Sequence, residues 1–216
     1  MATTQSSQLP TTTTTAANGT SNTTHITSPA PMPTPPASSS HSTADDDDNT
    51  PLFCPSYISP AVQEQLPENY TIRPLQRSDY FSGYLNVLRV LTTVGDFTVE
   101  QWNERYDWMA KRNGEYFLLV ICDGSGRVVS TGSLIVERKF IHSLGMVGHV
   151  EDIAVEMGQQ GKKLGLRMIQ ALDYVAQKVG CYKSILDCSE ANEGFYLKCG
   201  FKRAGLEMAH YYNRPE

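Results

Sequence analysis

The run Met146-Val147-Gly148-His149-Val150-Glu151-Asp152-Ile153-Ala154-Val155, followed closely by Gly158-Gln159-Gln160-Gly161-Lys162-Lys163-Leu164-Gly165, decides the architecture of this chain. The first segment is rich in apolar and β-branched residues and reads as a strand, broken by Gly148 and by two adjacent carboxylates. The second reads as a glycine-containing loop that opens a helix. Leu164, Met168, Leu172, Val175 and Val179 then recur at helical spacing, and Gly180 ends the stripe. A strand that runs through a loop into a helix presents unpaired N–H groups at the positive end of the helix dipole, which suits a phosphate or pyrophosphate. Lys162 and Lys163 add charge. The same glycines also fit an ordinary connection, because short glycine motifs have low specificity.

Working outward, the pattern toward the N-terminus has period two or is continuously apolar. Tyr116–Cys122 reads as a buried strand, Asp123-Gly124-Ser125-Gly126 as a hairpin turn, and Arg127–Phe140 as a long strand containing Gly132. With Met146–Val155 these make an antiparallel meander. Upstream, Tyr70–Arg73 is a short strand stopped by Pro74. A helix capped by Ser78-Asp79 runs to about Leu91, and a second begins at the capping box Thr98…Gln101 and ends near Asn113-Gly114. Downstream of Gly180, Ser184–Cys188 is a strand, Ala191–Cys199 a short helix and Lys202–Tyr212 a final strand. The order β-α-α-β-β-β-α-β-α-β predicts an α/β fold, with a mixed, largely antiparallel twisted sheet and helices on both faces.

The chain divides sharply by composition. Of its 216 residues, the first 50 hold 22 Ser and Thr and 6 Pro, with no Lys, Arg, Phe, Trp or Tyr. Such a segment cannot repay its ordering entropy, so residues 1–50 are expected to form a disordered leader. The run Asp45–Asp48 supplies most of the net charge of −5, leaving 18 basic against 19 acidic residues in the remainder. That balance, without a basic cluster, argues against nucleic acid. No apolar run approaches the ~20 residues of a membrane span. Residues 51–67, punctuated by proline, form an irregular surface lead-in, and residues 68–216 one domain. Five cysteines without a CxxC pair or a secretory signal read as reduced thiols of a cytoplasmic protein. Neither these nor the histidines have tight zinc-ligand spacing, so no metal is expected.

Three places could carry chemistry. The loop at Gln160–Gly165 is the first. Glu151-Asp152 is the second: on a regular strand only one of them enters a site, as general base or amine ligand, while a salt-bridged strand end fits equally well. The third is Asn192-Glu193-Gly194-Phe195-Tyr196-Leu197-Lys198-Cys199-Gly200-Phe201, where a Tyr196 hydroxyl could protonate a leaving group or simply complete the core.

The element order, the Gln160–Gly165 loop and the Asn192–Phe201 segment together resemble the GNAT superfamily of acetyl-CoA-dependent N-acetyltransferases, over roughly residues 68–212. The loop departs at one point, since Lys163 stands where that superfamily has its middle glycine. Four segments, Val90–Gly95, Glu137–His142, Gly148–Val155 and Gly180–Lys183 with Leu186-Asp187-Cys188, are similar to its glucosamine-6-phosphate N-acetyltransferases, fungal ones in particular. The resemblance implies direct attack of an amino-sugar nitrogen on the thioester of acetyl-CoA, in a ternary complex. It implies catalytic roles for Glu151, Asp187 and Tyr196. Acetyl-CoA would lie against Ile153, Ala154 and Val155, against Gly161, Lys162, Lys163, Leu164, Gly165 and Leu166, and against Tyr196, Leu197 and Lys198. Glucosamine 6-phosphate would meet Thr92, Lys139, Phe140, Ile141, His142, Glu151, Asp152, Ile153, Tyr182, Lys183 and Asp187. It further implies a homodimer with the C-terminal strand at the interface. A member acting on a protein or polyamine amine, and a non-catalytic acyl-CoA-binding dimer, are the competing readings; the Lys139/His142/Lys183 group favours a phosphorylated sugar, and retention of Glu151 and Tyr196 favours catalysis.

Overall fold

The computed structural model describes residues 49–112 and 114–212. The leader expected over residues 1–50 lies outside this range apart from Asn49 and Thr50. Both of these are tied to the domain: Gln76 Nε2 donates to Asn49 O (2.8 Å) and the Tyr106 hydroxyl to Thr50 O (2.7 Å). The expected helix stop at Asn113-Gly114 is described only at Gly114.

Five strands form one sheet in sequence order: β1 (Thr71–Pro74), β2 (Tyr116–Cys122), β3 (Val128–Arg138), β4 (Met146–Val155) and β5 (Cys181–Ile185). The first three pairings are antiparallel and β4–β5 is parallel. Helices are α1 (Pro60–Gln63), α2 (Tyr84–Leu88), α3 (Val99–Ala110), α4 (Leu164–Val179) and α5 (Glu190–Lys198). The core follows the apolar runs. β2 is buried from Phe117 to Cys122, and α4 buries Leu164, Met168, Ile169, Leu172 and Val175. Adjacent strand residues point to opposite faces. A Cβ at Gly132 would meet Met168 and Leu172 of α4, while Thr131 turns toward the buried Tyr84 of α2. α2 and α4 therefore cover opposite faces of the sheet.

Several elements differ from the sequence expectation. The helix expected from Ser78 to Leu91 is a 3₁₀ turn (Arg77–Tyr80) and the short α2, separated by Gly83 at φ +96°. The cause is Asp79. It is fully buried, receives two hydrogen bonds from the Arg73 guanidinium (2.7 and 2.8 Å), and accepts the Gln76 N–H (2.8 Å). Holding that carboxylate tightens the turn. The lead-in, expected to be irregular and on the surface, carries a 3₁₀ turn (Pro55–Tyr57) and α1, and it is no mere surface wrap: Leu52, Phe53, Val62 and Leu66 are buried, and the Phe53 ring stands 5.0 Å from Phe117. Each such side chain contributes roughly 1.5–3 kcal/mol by leaving water.

The expected final strand Lys202–Tyr212 does not form. A strand is held by ladder hydrogen bonds to a neighbour, and among the described residues no strand lies beside this segment, which is exposed throughout. The expected strand Ser184–Cys188 is shifted to Cys181–Ile185, because pairing with β4 begins at Cys181 and stops at Ile185. This early stop shapes the site.

Candidate active site

β4 and β5 form a fork. They pair from Met146 with Cys181 to His149 with Ile185. Beyond this, β4 continues to Val155 with β3 on one side and, among the described residues, no strand on the other. Its free edge over Ile153, Ala154 and Val155 offers backbone groups to any ligand that carries amides. The other arm is the chain leaving β5. Leu186, Asp187 and Cys188, with Tyr196, Leu197 and Phe201, line a cavity of about 460 Å³.

A bulge sits on the β4 arm. Thr131 pairs with Ala154 and Ser133 with Glu151, so two β4 residues face Gly132 alone. Asp152 takes φ +53° there. At Gly132 any Cβ would come within 2.7 Å of Ile153 Cδ1 and Met168 Cγ, so the close approach requires glycine. The bulge breaks the strict alternation expected of Glu151 and Asp152, and both carboxylates reach solvent. Partial burial pushes the Glu151 carboxyl above the usual range. Asp152, Asp187 and Glu207 push the same way, and His149 opposes them. Burial likewise raises Asp152. The Tyr196 side chain is half-buried, its ring centre 5.0 Å from that of Phe195, and its hydroxyl is raised by burial and then by Cys188, Cys199 and Glu151. The phenol is therefore protonated at neutral pH, the form that a proton donor to a thiolate needs.

At the far end of β4, a 3₁₀ turn (Met157–Gln159) leads to Gly161 (φ +83°) and Lys163 (φ +63°), the N-cap of α4. No side chain caps that helix. The N–H groups of Leu164, Gly165 and Leu166 occupy its first turn, where a helix lacks intrahelical acceptors. Lys162 Nζ lies 2.8 Å from the Tyr70 hydroxyl and 2.6 Å from Gln159 Oε1.

A second polar group gathers where β3 turns into β4. His142, Ser143 and Leu144 all take left-handed backbone (φ +52°, +55° and +63°), and the Lys139 N–H closes the turn onto Gly145 O (2.9 Å). The His142 ring stands 4.7 Å from that of Tyr182, and Lys183 Nζ lies 5.8 Å from the same tyrosine ring. Lys139 Nζ pairs with Glu137 Oε1 (2.6 Å), whose other oxygen meets His149 Nε2 (3.0 Å). The lysine, then the histidine, pull the Glu137 carboxyl below its ordinary range. Phe140 and Ile141, at the tip, are 94% and 62% exposed.

The acetyltransferase (GNAT) family model matches residues 72–201. The chain belongs to the GNAT acetyltransferase family. It is 50% identical to a glucosamine 6-phosphate N-acetyltransferase of Candida albicans over 143 residues, 66% of this chain and 96% of that protein. It is 44% identical to glucosamine 6-phosphate N-acetyltransferase 1 of Dictyostelium discoideum, over 68% of this chain and 94% of that one. The crystal structure of glucosamine-6-phosphate N-acetyltransferase from Arabidopsis thaliana superposes with a TM-score of 0.66 at 35% identity, covering 68% of this chain and all of that one.

Within this GNAT chain, the fork brings together Glu151, Asp152, Ile153, Ala154, Val155, Asp187, Tyr196 and Leu197, while Lys198 closes α5 as an exposed residue. Lys139, His142, Tyr182 and Lys183 gather at the β3–β4 turn. Thr92 stands apart, on the loop after α2, lining a different cavity with Arg89, Val94 and Asp96. Lys163 keeps the left-handed backbone for which the superfamily's glycine is suited, so the loop retains its turn with a strained residue. Sequence reasoning missed Glu137. Its spacing of two from Lys139 on a strand puts both on one face, and that period was the available signal. It also missed Gln159, three positions from Lys162, and Tyr70, which no local pattern joins to a residue 92 positions away. Among the described residues, no group of His, Cys, Asp or Glu is arranged to hold a metal ion, and no helix is long and apolar enough to cross a membrane.

Proposed function

We infer that the chain transfers the acetyl group of acetyl-CoA to the 2-amino group of D-glucosamine 6-phosphate. The products are N-acetyl-D-glucosamine 6-phosphate and CoA, a step on the route to UDP-N-acetylglucosamine. The observation that carries this reading is the β4–β5 fork, with a raised carboxyl on one arm and a raised phenol on the other, in a chain 50% identical to an enzyme of that name. The pantetheine arm would pair with the free edge over Ile153–Val155, and the pyrophosphate would sit on Gly161–Leu166. The amine nitrogen attacks the thioester carbon. A β4 amide stabilises the oxyanion. Glu151, directly or through water, takes the proton that the amine sheds, with Asp187 orienting the nitrogen. As the tetrahedral centre collapses the C–S bond breaks, and Tyr196 delivers a proton to the departing thiolate. Lys139, His142, Tyr182 and Lys183 would hold the sugar phosphate through charge-assisted hydrogen bonds.

The enzyme acts as a homodimer in this proposal. The support is the segment after α5, where Leu206, Met208, Tyr211 and Tyr212 are 80–91% exposed on a stretch that pairs with no strand among the described residues. A second copy would cover it and complete the ladder. A cytoplasmic setting goes with the five free cysteines. The test is release of free thiol from acetyl-CoA with glucosamine 6-phosphate, glucosamine or spermidine as acceptor. Release should be fastest with the phosphorylated sugar. Preference for spermidine, or no release, would defeat the assignment.

A further inference from the structure

Three side chains meet at the base of the loop that opens α4, and one of them, Tyr70, comes from outside it. Lys162 Nζ donates to Gln159 Oε1 (2.6 Å) and to the Tyr70 hydroxyl (2.8 Å), while that hydroxyl donates to the same Gln159 oxygen (2.7 Å). The donor count closes. The phenol gives its single proton to Gln159 and accepts one from the ammonium, which keeps a further proton for a ligand. The ammonium also lies 5.2 Å from the centre of the Tyr70 ring, within cation–π range.

Tyr70 is itself well fixed. Its N–H donates to Pro67 O (3.1 Å), and its carbonyl accepts from Gln63 Nε2 (2.9 Å). The Gln63 amide oxygen in turn accepts the Ile72 N–H at the start of β1 (2.9 Å). The ring packs half-buried against the core. Lys162, by contrast, is exposed on a loop. An exposed lysine that must order itself on binding forfeits rotamer freedom. One that is already held forfeits less.

We propose that Tyr70 is a positioning residue for acetyl-CoA, holding the Lys162 ammonium through its hydroxyl and the shared Gln159 amide, ready for the phosphates of CoA. The proposal rests on residues 160–165 being the pyrophosphate loop. Tyr70 touches no reacting atom, so its effect is confined to donors that carry those phosphates.

Tyr70→Phe keeps the ring and removes the hydroxyl. Steady-state rates would be measured with acetyl-CoA and with S-acetylpantetheine, which lacks the phosphates, and CoA affinity by calorimetry. KM for acetyl-CoA and Kd for CoA should each rise roughly 3–10-fold, with kcat and the S-acetylpantetheine rate within about twofold of wild type. An unchanged Kd would overturn the proposal, as would equal losses with both donors, the mark of general loosening. Lys162→Met should weaken CoA at least as much, and the double variant should be no worse than Lys162→Met alone, because Tyr70 acts through Lys162. Additive losses would overturn it. If Lys162→Met leaves CoA binding intact, the loop assignment itself fails; if Lys162 matters and Tyr70 does not, only this proposal fails.

Discussion

The backbone of Lys163 offers a quantitative prediction. It sits at φ +63°, ψ +16°, immediately before α4. An L-residue there brings its Cβ close to the following carbonyl oxygen, at a cost of roughly 1–2 kcal/mol. Glycine avoids that clash but frees the unfolded chain, returning about 0.5–1 kcal/mol of the gain. Lys163→Gly should therefore stabilise the fold by about 0.5–1 kcal/mol, a rise of about 1–4 °C in Tm for a domain of this size. Lys163→Ala is the control, since it removes the ammonium and keeps the Cβ. Lys163→Val adds a branch at Cβ and should be the least stable of the series. Urea unfolding and thermal melts would rank the four proteins as Gly above Lys and Ala, and Val last. Calorimetry with CoA separates charge from backbone. If amide groups hold the pyrophosphate, Lys163→Ala should weaken CoA by no more than about threefold, the value of one exposed charge. Lys163→Gly no more stable than Lys163→Ala would refute the left-handed assignment and the account of the loop built on it.

Tyr196→Phe should lower kcat by about 10²-fold or more while Kd for acetyl-CoA stays within about twofold; lost binding with unchanged turnover would contradict a leaving-group role. Glu151 carries a raised pKa, so its base form is lost as pH falls through that raised value; the acid limb of kcat/KM should reflect this, and Glu151→Gln should be slow and lack that limb. Asp173 on α4 is pushed up to about 6 by burial. Its folded form keeps the proton longer than its unfolded form, so the contribution of this group to stability is greatest below about pH 4 and declines as pH rises toward 6. Asp173→Asn should then raise stability at pH 7 relative to pH 4, by less than the full shift implies because solvent screens this half-buried carboxyl, read from urea midpoints at pH 4 and pH 7.

Much of the fold was legible because burial imposes periodicity. β2 and β4 fall on the expected residues, and the Thr98/Gln101 capping box opens α3 as read. What escaped were features set by partners distant in sequence. Asp79 could be read as a helix cap, but its grip on Arg73 could not, so the helix over 78–91 appears broken in the structure. The end of β5 depends on where β4 parts from it, which no local pattern records. Lys202–Tyr212 has strand-like composition, but composition supplies no neighbour to pair with. The candidate site was legible as segments. Its coherence came from the bulge at Asp152, which only the β3–β4 register reveals, and from the Glu137 pairing that links Lys139 to His149.

Direct transfer to the sugar nitrogen is the central claim, and the product tests it most plainly. The protein would be incubated with acetyl-CoA labelled with ¹³C at the carbonyl and with glucosamine 6-phosphate, and the label followed by NMR. A single new carbonyl signal is expected, that of an amide coupled to the proton on the C2 nitrogen, appearing in step with free CoA. Label found in an ester of a sugar hydroxyl, held on the protein, or remaining in the thioester would contradict it.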